Sequence, residues 1–80
     1  MKDVKEAIVV WTQSDGRCLQ VRLLPLSEAC AYAVEIVRSL EDRQPEREAD
    51  EIALELQEGA FVVVLSGPHN RVEVWDARPR

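Results

Sequence analysis

Two strand–turn–strand units stand at opposite ends of this chain, and only helical periodicity lies between them. Val4–Gln13 is rich in β-branched and aromatic residues and ends at Ser14-Asp15-Gly16, a hairpin signal. Arg17–Leu24 then alternates, with Leu19, Val21 and Leu23 on one face and Gln20 and Arg22 on the other, until Pro25, which cannot donate a ladder hydrogen bond. Near the other end, the dense apolar run Ala60–Ser66 is turned by Gly67-Pro68-His69-Asn70 into a second alternating segment, Arg71–Asp76.

Between the hairpins, Ser27 reads as an N-cap and Glu28 suits the positive end of a helix dipole. Ala29, Ala33, Ile36, Val37 and Leu40 recur at helical spacing, which predicts a helix from about Glu28 to Asp42. Pro45 suits the first turn of a second helix, Ala49, Ile52, Ala53 and Leu56 form its seam, and Gly59 stops it.

The pattern predicts an α+β domain in ββααββ order, with one four-stranded mixed or antiparallel sheet and two helices. The first and third strands are apolar on both faces, which argues for central positions and a strand order of 2-1-3-4. Eighty residues make one small domain spanning 1–80, with residues 77–80 as a frayed tail. A core of this size gives marginal stability, and oligomerisation is a common supplement.

A four-residue turn at 67–70 would set Leu65 opposite Val72 and Val63 opposite Val74. Phe61, Val63, Leu65, Val72 and Val74 would then face the helices, and Val62, Val64 and Trp75 the back of the sheet. The first hairpin admits two registers. A two-residue turn puts Ile8, Val10 and Thr12 on the side of Leu19, Val21 and Leu23; a three-residue turn with a bulge puts Ala7, Val9 and Trp11 there. Either way the back carries an apolar patch, and such patches mark interfaces. A homodimer packed sheet to sheet is the leading expectation, with Trp11, Val62, Val64 and Trp75 at the contact.

Residues 41–58, EDRQPEREADEIALELQE, hold eight acidic and two basic side chains in a chain of net charge −5. Glu48, Glu51, Glu55 and Glu58 form one stripe at helical spacing, and those near the helix C-terminus oppose the dipole. Solubility alone can account for such a face. The functional alternative is electrostatic docking onto a basic protein partner. One form of that is mimicry of a nucleic-acid backbone to block a nucleic-acid-binding protein, in the manner of small phage-encoded inhibitors.

Little here suggests catalysis. His69 is the only histidine and sits in a turn, and the serines read as turn, cap or helix-surface residues. Cys18 and Cys30 are separated by a strand of ~20 Å and do not suggest a disulfide. Phosphate-binding glycine patterns, a calcium loop and a zinc-ligand set are absent, so no catalytic residue, cofactor or metal is expected. Neither a long apolar run nor a leader pattern occurs, and a cytoplasmic location without membrane insertion is expected. Direct nucleic-acid binding through Arg22 and Arg71 on the sheet is disfavoured by the acidic balance and by the lack of the RNP aromatic pattern. The resulting expectation is a non-enzymatic protein–protein interaction module. The remaining alternative is a structural subunit of a larger assembly.

Overall fold

The computed structural model describes residues 5–40 and 47–77. Strands β1 (Glu6–Gln13) and β2 (Cys18–Pro25) form the first hairpin. Helices α1 (Leu26–Ser39) and α2 (Ala49–Glu58) follow, and strands β3 (Phe61–Ser66) and β4 (Asn70–Asp76) form the second hairpin. The α+β class and the ββααββ order are those the periodicity predicts. Helix α1 ends at Ser39, with Leu40 already extended, short of the expected Asp42, and α2 starts at Ala49 after an extended Glu48, later than the expected Pro45. Residues 41–46 and the tail residues 78–80 lie outside the described residues. Ala77 donates its amide to the Glu6 carbonyl at 3.3 Å.

The strand order is β2-β1-β4-β3 with every pair antiparallel, which corrects the expected 2-1-3-4. The first and last strands therefore meet at the centre, with Val9 opposite Val74 and Trp11 opposite Val72. The expectation assumed that apolar residues on both faces mark a central strand, a rule for sheets covered on both sides. Here the helices cover one side, and β4 can be central while alternating apolar with polar.

A bulge explains why β3 reads as apolar throughout. Val62 pairs with Val74 and Val63 with Glu73, yet Leu65 pairs with Val72, so Val64 is an extra residue. Side chains on both sides of such a bulge can reach one face. Val62, Val64 and Leu65 are all buried in the core. The core closes with Ala7 and Val9 of β1, Val72 and Val74 of β4, Ala29, Cys30, Ala33, Val34, Ile36 and Val37 of α1, and Ile52 and Leu56 of α2.

The local ends differ from expectation in detail. Helix α1 begins one residue before Ser27, with Pro25 at the cap position and no side-chain cap bond, so Ser27 is an exposed first-turn residue. The Leu26 amide donates to the Lys5 carbonyl at 2.9 Å and ties the helix start to β1. Gly59 closes α2 at φ −124°, an extended conformation open to any residue. Gly16, at φ 90°, does need a glycine's freedom in the first hairpin turn.

Candidate functional site

Alternation along each strand distributes side chains between the helix face and the open face of the sheet. On β2 the outcome is the less obvious one. Tyr32 of α1 donates its hydroxyl to Gln20 Oε1 at 2.7 Å, and the Arg22 guanidinium lies 5.2 Å from the Tyr32 ring centroid. Gln20, Arg22 and Leu24 thus occupy the helix face, and Val21 and Leu23 the open face. Ile8 pairs with Leu23 and Val10 with Val21, as the two-residue turn predicts for those positions. A bulge opposite Trp11 and Thr12 accommodates the turn, and Leu19 stands in it.

The open face is built in cross-strand rows. Leu23, Ile8, Trp75 and Phe61 form one row, and Val21, Val10, Glu73 and Val63 the next. Phe61 and Trp75 stack with ring centroids 4.5 Å apart and planes 16° from parallel. Such a pair adds about 0.5–1.5 kcal/mol beyond area burial. Val21 is 61% exposed, Leu23 57%, Phe61 43% and Trp75 36%.

Glu73 sits in the middle of this face, yet its side chain is only 14% exposed. Arg71 Nε donates to its Oε2 at 2.9 Å and Trp75 Nε1 to its Oε1 at 3.4 Å. Both carboxylate oxygens are therefore occupied, and the charge is matched within the same face. Across the strands Glu73 is flanked by Val10 and Val63.

These positions revise the expected self-association residues. Trp75 does lie on the open face. Val62 and Val64 do not: the β3 bulge turns them into the core beneath the helices. Phe61 and Val63, expected under the helices, take the open side instead. Trp11 shares the helix face with Val9 and packs against the core, and its indole Nε1 donates to Asn70 Oδ1 at 3.0 Å. The residues that sequence reasoning missed are Phe61, Val63, Val21 and Leu23. The alternation of β2 was visible, but nothing in it says which face the helices take.

Helix α2 brings the acidic stripe together only in part. Glu48 accepts from Arg38 at 3.3 Å, and Glu55 pairs with Arg47. Arg47 also donates through Nη1 to the Val63 carbonyl at 2.9 Å, on the outer edge of β3. The Glu51 and Glu58 carboxylates are exposed and have no ion pair among the described residues. Leu54 stands in the same stripe and is 69% exposed.

Cys18 is exposed and Cys30 is buried, both as free thiols, and burial pushes the Cys30 thiol up to about 11. Among the described residues, no three His, Cys, Asp or Glu side chains converge to hold a metal ion, and no helix is long and apolar enough to cross a membrane. Comparison with protein-family models, curated proteins and solved structures finds no match for this chain.

Proposed function

We propose that this protein works through protein–protein contact and that two copies pack through the open faces of their sheets. The observation that carries this reading is the apolar face formed by Ile8, Val10, Val21, Leu23, Phe61, Val63 and Trp75, which no element among the described residues covers. Four strands ~4.8 Å apart and about seven residues long at ~3.3 Å each project roughly 440 Å². With side-chain relief, two such faces remove on the order of 1,200 Å² of accessible surface, the lower bound of a specific interface.

Charge supports the same geometry. The chain carries −5, yet the centre of the open face is neutral because Arg71 pairs with Glu73. Glu6, the further acidic residue on that side of β1, stands at the end of its strand. Sheets pack ~10 Å apart, and a helix is ~10 Å across. Face-to-face pairing therefore holds the acidic helices more than ~20 Å apart, at least twice the ~8–10 Å screening length. Packing through the helix layer would oppose them directly.

The test is analytical ultracentrifugation of Val21→Asp and Phe61→Asp. The expected result is a dimeric parent and monomeric variants with unchanged circular dichroism. Variants that remain dimeric would remove the face from the interface.

A second reading concerns α2. Exposed Leu54 beside the unpaired Glu51 and Glu58 gives the acidic stripe an apolar anchor, which favours docking of a basic amphipathic segment over a merely solvated face. Calorimetric titration with a Leu- and Lys-containing helical peptide should show binding that weakens with salt and is lost in Glu51→Lys/Glu58→Lys. Undiminished binding to that variant would end this reading.

A further inference from the structure

The two edges of the sheet are treated differently. Edge strand β3 is short and bulged, and Arg47 binds its Val63 carbonyl. Bulges and covering cations are devices that stop an edge from recruiting another strand. Edge strand β2 has eight residues, an exposed backbone side and, among the described residues, no element beyond it. Its bulge lies at one end, near Cys18, which leaves Gln20–Leu24 in regular register with β1. The strand carries no lysine and no inward-pointing carboxylate; Arg22 is its one charged residue, and Pro25 closes its end outside the Gln20–Leu24 stretch.

Beside this bare edge runs a groove of about 380 Å³ between β2 and the flank of α1, lined by Arg22, Leu24, Glu28, Ala31, Tyr32 and Glu35. Leu24, Ala31 and the Tyr32 ring give it an apolar floor. Tyr32 is held by Gln20, and Arg22 lies over its ring, so the wall is fixed before anything binds. Glu28 and Glu35 lie two turns apart on the same side of α1. Neither has an ion pair or hydrogen bond among the described residues, in contrast to Glu48 and Glu55.

We infer that β2 is a strand-addition site for an extended segment that alternates basic and apolar residues. The added strand hydrogen-bonds the outer edge of β2. Its basic side chains point to the groove, where the stems cross Leu24 and Tyr32 and the charges meet Glu28 and Glu35, two carboxylates against the single Arg22 guanidinium that lies over Tyr32. Its apolar side chains continue the open-face rows beside Val21 and Leu23. Main-chain bonds supply affinity in such complexes, and alternate side chains supply specificity. The site lies at the side of the sheet, so it stands independently of face-to-face pairing, which is tested by mass.

The experiment uses the full ¹⁵N-labelled chain and the peptide acetyl-Thr-Lys-Val-Lys-Val-Lys-Thr-amide. Two control peptides carry backbone N-methyl groups, one on the lysines and one on the valines. Side chains and amides share the two-residue period of a strand, so only one set of amides can point at β2. The expected result is shifts confined to residues 18–25 and the facing side of α1, with new exchange protection on β2. One N-methylated peptide should lose about tenfold or more in affinity while the other binds within about threefold of the parent. Glu28→Lys/Glu35→Lys should weaken binding by about tenfold at low salt, and Glu51→Lys/Glu58→Lys should not.

Equal binding by both N-methylated peptides would reduce the interaction to charge adhesion and overturn the inference. Shifts confined to α2 or the open face would do the same. So would β2 amides already fully protected without peptide, since a second copy would then hold the edge, or an absence of binding at millimolar peptide.

Discussion

The same strands present two faces to very different surroundings. On the helix face, Ala7, Val9, Val64, Val72 and Val74 are fully buried against α1 and α2. On the open face, Ile8, Val10 and Val63 are half-buried, while Val21, Leu23, Phe61 and Trp75 are exposed. Both faces are apolar at their centres, and among the described residues only one is covered. The helix face draws its fully buried apolar residues from β1, β4 and β3, and on β2 it meets half-buried Leu24 beside Gln20 and Arg22. The open face draws on all four strands. Apolar patterning alone thus does not tell the two faces apart; the helix layer and the register decide which of them becomes the core.

The sharpest way to break this contrast is to cut each face in turn. Ile52→Ala, at the fully buried seam of α2, should cost about 2–5 kcal/mol of folding stability in a denaturant melt. A loss below about 1 kcal/mol would mean that the helix layer is not what holds that face. Trp75→Arg on the open face should instead leave the fold in place. It should raise the dimer dissociation constant by at least about thirtyfold, the equivalent of an interface hot spot worth ~2 kcal/mol.

Cys30 sharpens the burial side of the comparison through pH. Its thiol ionises near 11 in the folded chain against 9.0 for an unperturbed cysteine, because burial disfavours the thiolate. Between those values the unfolded state has already released a proton that the folded state still holds. The contribution is therefore fully present below pH 9.0 and is lost as pH rises towards 11, by up to about 2–3 kcal/mol. Denaturant melts from pH 8 to 11 should show that decline, and Cys30→Ala should flatten it once its own cavity cost is subtracted.

A smaller effect is expected at the β3 edge. Arg47→Ala removes the partner of Glu55 and the cap on the Val63 carbonyl, and it should cost about 1 kcal/mol and increase amide exchange along β3. An unchanged exchange rate there would mean that the bulge alone guards the edge.

Much of the fold was legible in the sequence because periods of two and of 3.6 are local. The hairpins, the α1 and α2 seams and the stop at Gly59 follow from residues near each position. Strand order and the face assignments of β3 were not legible. The bulge at Val64 inverts Val62 and Val63 relative to simple alternation, and no residue in FVVVLS marks where the extra residue falls. The acidic stripe was legible as spacing, but Arg38 and Arg47, which bind two of its members, come from outside the helix. Phe61 became a site residue only through its cross-strand pairing with Trp75.

The most direct test of the central claim is light scattering on the chain eluting from a sizing column, at low and at high salt. Face-to-face pairing through an apolar surface predicts twice the chain mass in both conditions, because salt screens charge and does not weaken apolar burial. A monomer at both salts, over the micromolar range, would contradict it. It would leave the open face as a surface for a different partner.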